Sequence, residues 1–415
     1  MLTYILSKTF TNVDVMGFKI GWINWEQQKL KTVVNRVTRK NVNNESNLPL
    51  TISAQDGLIA QDHFFDKKVA SQNLQNYLLL KKGDFAYNKS YSNGYPFGSI
   101  KRLNKYKEGV ISSLYIAFKP KQADSDYLEQ FFDSDKWHRE IYSRAAEGAR
   151  NHGLLNISPN DFFDADVKLP SSNEEQKMIG DILKKVSEII TLQQHKLDQL
   201  NTLKKGLLQK MFADKKHPKP ELRFKSFHDN WINHKAGDFM IERNQKATID
   251  DDFPLKAFIA NKGVADKGER YDRSAITNDA SNKMYKRTLF NDFIYSSNNL
   301  ETGSIGLNKY GNASISPVYS IFYFKNKESA DFFGRILVRK EFINSMIRYR
   351  QGVVYGQWRI KEKDFLNISI SVPSLEEQEK IGSLLDKLDE TINVNSKLLN
   401  QLKVLKKSLL QNMFI

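Results

Sequence analysis

Cysteine is absent from all 415 residues, which excludes disulfides, thiolate zinc sites and cysteine nucleophiles. No run approaches the roughly 18 apolar residues of a membrane span. The opening MLTYILSKTFTNVDVMGF has neither a basic head nor a continuous apolar core, so no signal peptide is predicted and the cytoplasm is the expected compartment. Catalytic signatures are missing too. There is no G-x-G-x-x-G after a strand, no phosphate-binding G-x-x-x-x-G-K-[ST], no His-x-x-x-His pair and no G-x-S-x-G elbow. The adenine-gripping Asn/Asp-Pro-Pro-Tyr/Phe run of amino-methyltransferases is lacking as well; Asn93-Gly94-Tyr95-Pro96-Phe97 has no paired proline. Asp166-x-Lys168, with Asp161 and Asp164 upstream, faintly resembles a metal-dependent nuclease core. Ser369 and Ser371 stand at the matching places of the second half, so no catalytic or metal site is predicted.

What is present is positive charge and repetition. The formal net charge is +15, which favours a polyanionic partner, with a basic but inert surface as the bland alternative. Shifting the chain by 202 residues lays Glu174–Phe212 on Glu376–Phe414 without a gap and gives 20 identities in 39 pairs. About two or three are expected by chance, so the chain is internally duplicated. The flanks repeat more loosely: Asp84-Phe85-Ala86-Tyr87 matches Asp292-Phe293-Ile294-Tyr295, and Asp161-Phe162 before Pro170 matches Asp364-Phe365 before Pro373. Ala213–Pro220 reads as the linker between the halves.

The repeated segments carry a helical seam with alternating spacings of four and three. In the first copy it runs through Leu183, Ile190, Gln193, Leu197, Lys204 and Met211; in the second, through Leu385, Ile392, Asn395, Leu399, Lys406 and Met413. Gln193 and Asn395 are polar layers of the kind that fix register. Ile182, Ile189, Leu192, Leu203, Leu208 and Phe212 widen the apolar face, with Leu410 the counterpart of Leu208. The surplus suits a second protein, or burial against the chain's own domains. Between the helices, β-rich runs at Gly109–Lys119 and Ala313–Lys325 and helical patterns over Tyr127–Ala146 and Ser329–Tyr349 predict mixed domains of α+β class.

Loops that interleave basic, amide and aromatic residues are candidate reading surfaces, since Arg, Asn and Gln can read base edges while Lys and Arg hold phosphates. The first domain offers Lys89, Asn93, Lys101 and Arg102 on one loop, and Arg144, Arg150 and His152 on another. The second offers Asn298 and Thr302, then Arg348, Arg350, Tyr355, Gln357 and Arg359. A solvated surface is the alternative for any one such loop.

These features resemble the specificity (S) subunits of type I restriction–modification systems. The resemblance rests on Pro170…Glu174-Glu175-Gln176…Ile179 and Pro373…Glu376-Glu377-Gln378…Ile381. It rests also on the doubled Leu-x-x-Leu-Lys-Lys-x-Leu-Leu-Gln-x-Met-Phe ending and on Pro220-Glu221-Leu222-Arg223-Phe224…Trp231. The first domain lacks that Pro-x-Leu-Arg-Phe opening and has Val15-Met16-Gly17-Phe18 instead.

The resemblance implies two target-recognition domains, at 1–173 and 214–373, separated by spacer helices at 174–213 and 374–415 that pair as an antiparallel coiled coil. It also implies a chain that is not itself an enzyme. Each domain reads half of a split DNA site, and the helices set the spacing and dock two methyltransferase (M) subunits, with translocase-nuclease (R) subunits joining to restrict. S-adenosylmethionine then belongs to the M subunits and ATP with magnesium to the R subunits, with no cofactor in this chain. The rival functions are a self-contained methyltransferase or nuclease with embedded recognition domains, and a coiled-coil scaffold that touches no DNA.

Overall fold

A computed structural model describes residues 25–54, 56–64, 73–92, 94–145, 150–151, 154–213, 219–266, 283–353 and 357–415. The chain forms two compact units, Met1–Gln194 with Leu398–Ile415, and His195–Lys397. In the first, a four-stranded antiparallel sheet has the order Val34–Arg36, Ile116–Pro120, Phe85–Asn88, Ser99–Arg102. In the second, Met240–Glu242, Ser320–Phe324, Phe293–Tyr295 and Ile305–Leu307 follow the same order. The duplication therefore extends through both domains, well beyond the helices.

The packing explains the short repeated motifs. Phe85 and Tyr87, like Phe293 and Tyr295, are fully buried on inner strands. The aspartate before each strand closes a turn and neutralises an arginine. Asp84 accepts from Lys81 N at 2.8 Å and Arg39 Nη2 at 2.6 Å; Asp292 accepts from Leu289 N at 2.7 Å and Arg243 Nε at 2.6 Å. A buried carboxylate needs such partners. Gln176 and Gln378 each turn an amide back to a proline carbonyl, Pro170 or Pro373, at 2.9 Å. That bond fastens each long helix to the strand before it.

Several predicted elements are subdivided. Tyr127–Ala146 holds two helices, Ser125–Asp133 and His138–Arg144, because Ser134 is extended and its hydroxyl donates back to Phe131 O at 2.6 Å. Ser329–Tyr349 likewise splits into Ala330–Ile336 and Lys340–Ile347, with Arg339 extended between them. Gly109–Lys119 and Ala313–Lys325 each contain a turn, and their two strands belong to different sheets.

The long helices are Asn173–Lys210 and Leu375–Asn412. Within the first unit, Ile179 and Leu183 near the start of one share a core with Phe414, Leu409, Leu410 and Met413 at the end of the other. In the second unit Ile381 and Leu385 share a core with Met211, Phe212, Leu207 and Leu208. Start meets end in each unit, which is the antiparallel pairing. The polar seam positions are occupied within the fold: Lys204 pairs with Asp389 at 2.5 Å, Lys406 with Asp133 at 3.4 Å, and Asn395 donates to Thr391 O at 2.7 Å. No described helix is long and apolar enough to cross a membrane.

Candidate nucleic-acid interface

The structure joins the two candidate loops of each domain into one surface. In the second unit the loop at 296–304 links Phe293–Tyr295 to Ile305–Leu307, and the hairpin Gln351–Val353 with Gln357–Arg359 rises beside it. Asn298 Oδ1 accepts from Trp358 N at 2.6 Å, and Ser297 Oγ from Ile360 N at 3.0 Å. Arg350 Nη1 and Nη2 donate to Glu301 at 2.8 and 2.6 Å. The guanidinium holds the Glu301 carboxyl below the usual carboxylate range through that hydrogen bond. Thr302 Oγ1 turns back onto Asn299 O at 3.1 Å.

The first unit uses the same plan with other residues. Its loop at 89–98 links Phe85–Asn88 to Ser99–Arg102, and the short strands Arg150–Asn151 and Leu154–Leu155 pair beside it. Leu155 N donates to Lys89 O at 3.0 Å, and Lys89 Nζ to Ile157 O at 3.1 Å. Burial pushes the Lys89 ammonium down. Lys89 and Arg350 thus play comparable parts: the Lys89 carbonyl holds the hairpin and its ammonium the segment just after it, while Arg350, just before the other hairpin, holds the loop at Glu301. Both loops close on a glycine in the left-handed region, Gly98 at φ +78° and Gly303 at φ +93°. An added Cβ would meet Asn88 O at 2.0 Å or the Asn261 carboxamide at 2.1 Å, so the loop shape demands glycine.

The remaining candidates fall into two groups. Arg348, Gln357 and Arg359 are exposed at the loop surface, with Arg359 only 3.4 Å from Glu362 as an ion pair. Lys101 and Arg102 instead face the domain's own helix: Lys101 pairs with Asp133 at 2.7 Å, and Arg102 with Asp126 and Glu129 at 2.6 and 2.5 Å. Arg144 is held by Glu140 at 2.7 Å and Asp166 at 3.4 Å. Asn93, His152 and Tyr355 lie outside the described residues, as does the side chain of Arg150. The carboxylates of the faint nuclease motif are each engaged separately, Asp166 by Lys29, Asp164 by Lys31 and Asp161 by Ser158. No cluster able to hold a metal ion occurs among the described residues.

Gln351, within the candidate loop at 348–359, sits opposite Arg359 across the hairpin. Four exposed rings stand around the loops: Tyr91, Tyr349 and Trp358 lie within the loops the sequence singles out, and Tyr142 lies on the helix His138–Arg144. Alternation in Gln357-Trp358-Arg359 was the available signal for Trp358; the exposure of the tyrosines is a tertiary property.

Residues 230–404, which span this interface in the second unit, match the family described as type I restriction modification DNA specificity domain. That match covers 175 of the chain's 415 residues. Over its whole length the chain also has the specificity-subunit fold. It superposes on the type I restriction–modification S subunit of M. genitalium with a TM-score of 0.59 at 16% identity, covering 96% of this chain and 98% of that one. The HsdS subunit of Thermoanaerobacter tengcongensis is matched over 96% and 98% of the two chains, at 16% identity and a TM-score of 0.45. No curated protein sequence matches the chain. The duplicated topology puts the same loop-and-hairpin surface in the first unit.

Proposed function

We propose that this chain is the DNA-recognition and assembly subunit of a type I restriction–modification complex, each unit reading one half of a split site. The observation that carries the reading is the repeated surface itself, in which a loop and a hairpin are tied together in both units by different contacts. A shared scaffold with divergent residues is what two half-sites of different sequence require. In this reading the long helices set the distance between half-sites and dock two methyltransferase subunits, with restriction subunits joining them. The chain itself carries out no chemistry: S-adenosylmethionine belongs to the methyltransferase subunits, and ATP with magnesium to the restriction subunits.

The test is single-molecule methylation mapping of DNA modified by the assembled complex. A motif of two short half-sites flanking a fixed unread gap is the expected result. A continuous motif, or methyl transfer by the purified chain alone, overturns the proposal.

A further inference from the structure

The two units seat their domains on the long helices through one shared contact with opposite charges. Gly180 and Gly382 hold equivalent places in the repeat. A Cβ on Gly180 would lie 2.6 Å from Tyr127 N and 3.1 Å from Asp126 Cβ; on Gly382 it would lie 3.0 Å from Phe332 N and 3.1 Å from Asp331 Cβ. The same glycine thus receives the same turn of a domain helix in each unit. One helical turn on, the equivalent positions carry Lys184 and Asp386.

Lys184 Nζ reaches Asp126 at 2.9 Å, and Asp126 also meets Arg102 at 2.6 Å. Asp386 instead faces two cations of its domain, Arg335 at 3.6 Å and Lys309 at 3.7 Å. Asp389 adds a second carboxylate 2.5 Å from Arg335, where the first helix has Ser187. The first helix therefore offers a cation to an edge where Asp126 and Glu129 outnumber Arg102, and the second offers two anions to an edge where Arg335 and Lys309 outnumber Asp331.

We infer that these charges assign each domain to its own helix, so that neither domain can be moved to the other helix unless residues 184, 187, 386 and 389 are changed with it. Partly exposed ion pairs contribute little when matched. Like charges forced together in the same contact cost more, so the selection acts through exclusion of the wrong pairing. On the first helix the second domain would bring Arg335 and Lys309, with the single carboxylate of Asp331, against Lys184, and Ser187 would offer no second anion.

The test is a full-length chain in which a second copy of residues 232–372 replaces residues 25–170, made with Lys184 and Ser187 kept or with Lys184→Asp and Ser187→Asp. The corrected chain is expected to unfold at least about 5 °C above the uncorrected one, the gap narrowing in high salt. Coincident transitions overturn the inference. Should neither chimera fold, the parent chain decides: Lys184→Asp must lower the first unit's transition well below that of Lys184→Gln, and equal effects overturn the inference.

Discussion

Arg350 grips Glu301 with both terminal nitrogens, at 2.8 and 2.6 Å, across a sequence separation of 49 residues. The arginine is nine-tenths covered while Arg359 is well exposed, so the pair ties the loop at 296–304 to the hairpin and leaves the outer side chains free to act in the proposed recognition. Arg350→Ala and Glu301→Ala should therefore weaken the second half-site as a whole. Arg348→Ala or Arg359→Ala should instead relax one base position by about 1–3 kcal/mol if that side chain reads a base. A phosphate contact should weaken all sequences alike and lower the salt slope by about one. Binding titrations over salt, on single-base variants of the half-site, separate these outcomes. The loop assignment fails if alanine at all three arginines leaves the half-site intact.

The apolar surplus of the first long helix is divided by the fold. Leu208 and Phe212 pack into their own unit's core, as Leu410 and Phe414 do in the other. Met178, Ile182, Ile189 and Leu192 stay exposed, Leu192 by 69%. Leu192→Asp should reduce capture of a methyltransferase partner with no change in thermal stability, since an unpaired carboxylate in an apolar contact costs several kcal/mol. Leu208→Asp should lower stability and capture together. Unchanged co-purification of Leu192→Asp would move the docking surface elsewhere.

Phe414 is buried between Tyr127 and Phe131, with ring centroids at 5.3 and 5.8 Å. The far end of the chain thus completes the first unit's core. Phe414→Ala should cost about 3–5 kcal/mol there and spare the second unit. Phe212, 5.5 Å from Phe332, should show the mirror image. Hydrogen exchange resolved by segment reports which unit loses protection; loss confined to the second unit in Phe414→Ala contradicts the expectation.

Spacing is tested by lengthening the helices. From Ile179 to Met211 the first rises about 48 Å, comparable to about 14 base pairs. One heptad inserted after Leu197 and another after Leu399 keeps the four-three seam and adds about 10.5 Å, or roughly three base pairs of gap. Both half-sites should keep their sequences while the unread run lengthens. A heptad in only one helix should break the pairing and damage assembly instead. A constant gap in methylation maps of the double insertion, or altered half-site bases, shows that the helices do not set the distance.

The sequence alone determined the duplication, the two long helices and the loops. Those features are written in local periodicity, in the 20 identities of the helical repeat and in short motifs whose spacing survives divergence. Asp84-Phe85 and Asp292-Phe293 were legible as a repeat because the turn, the arginine and the buried ring all constrain the same two residues. Only the tertiary structure decided which charges remain exposed. Lys101 and Arg102 read like loop cations, yet the helix Ser125–Asp133 brings Asp133, Asp126 and Glu129 against them. Arg348 and Arg350 are two residues apart, and one is exposed while the other is locked to Glu301. Partners dozens of residues away fix those fates, and no local pattern encodes them.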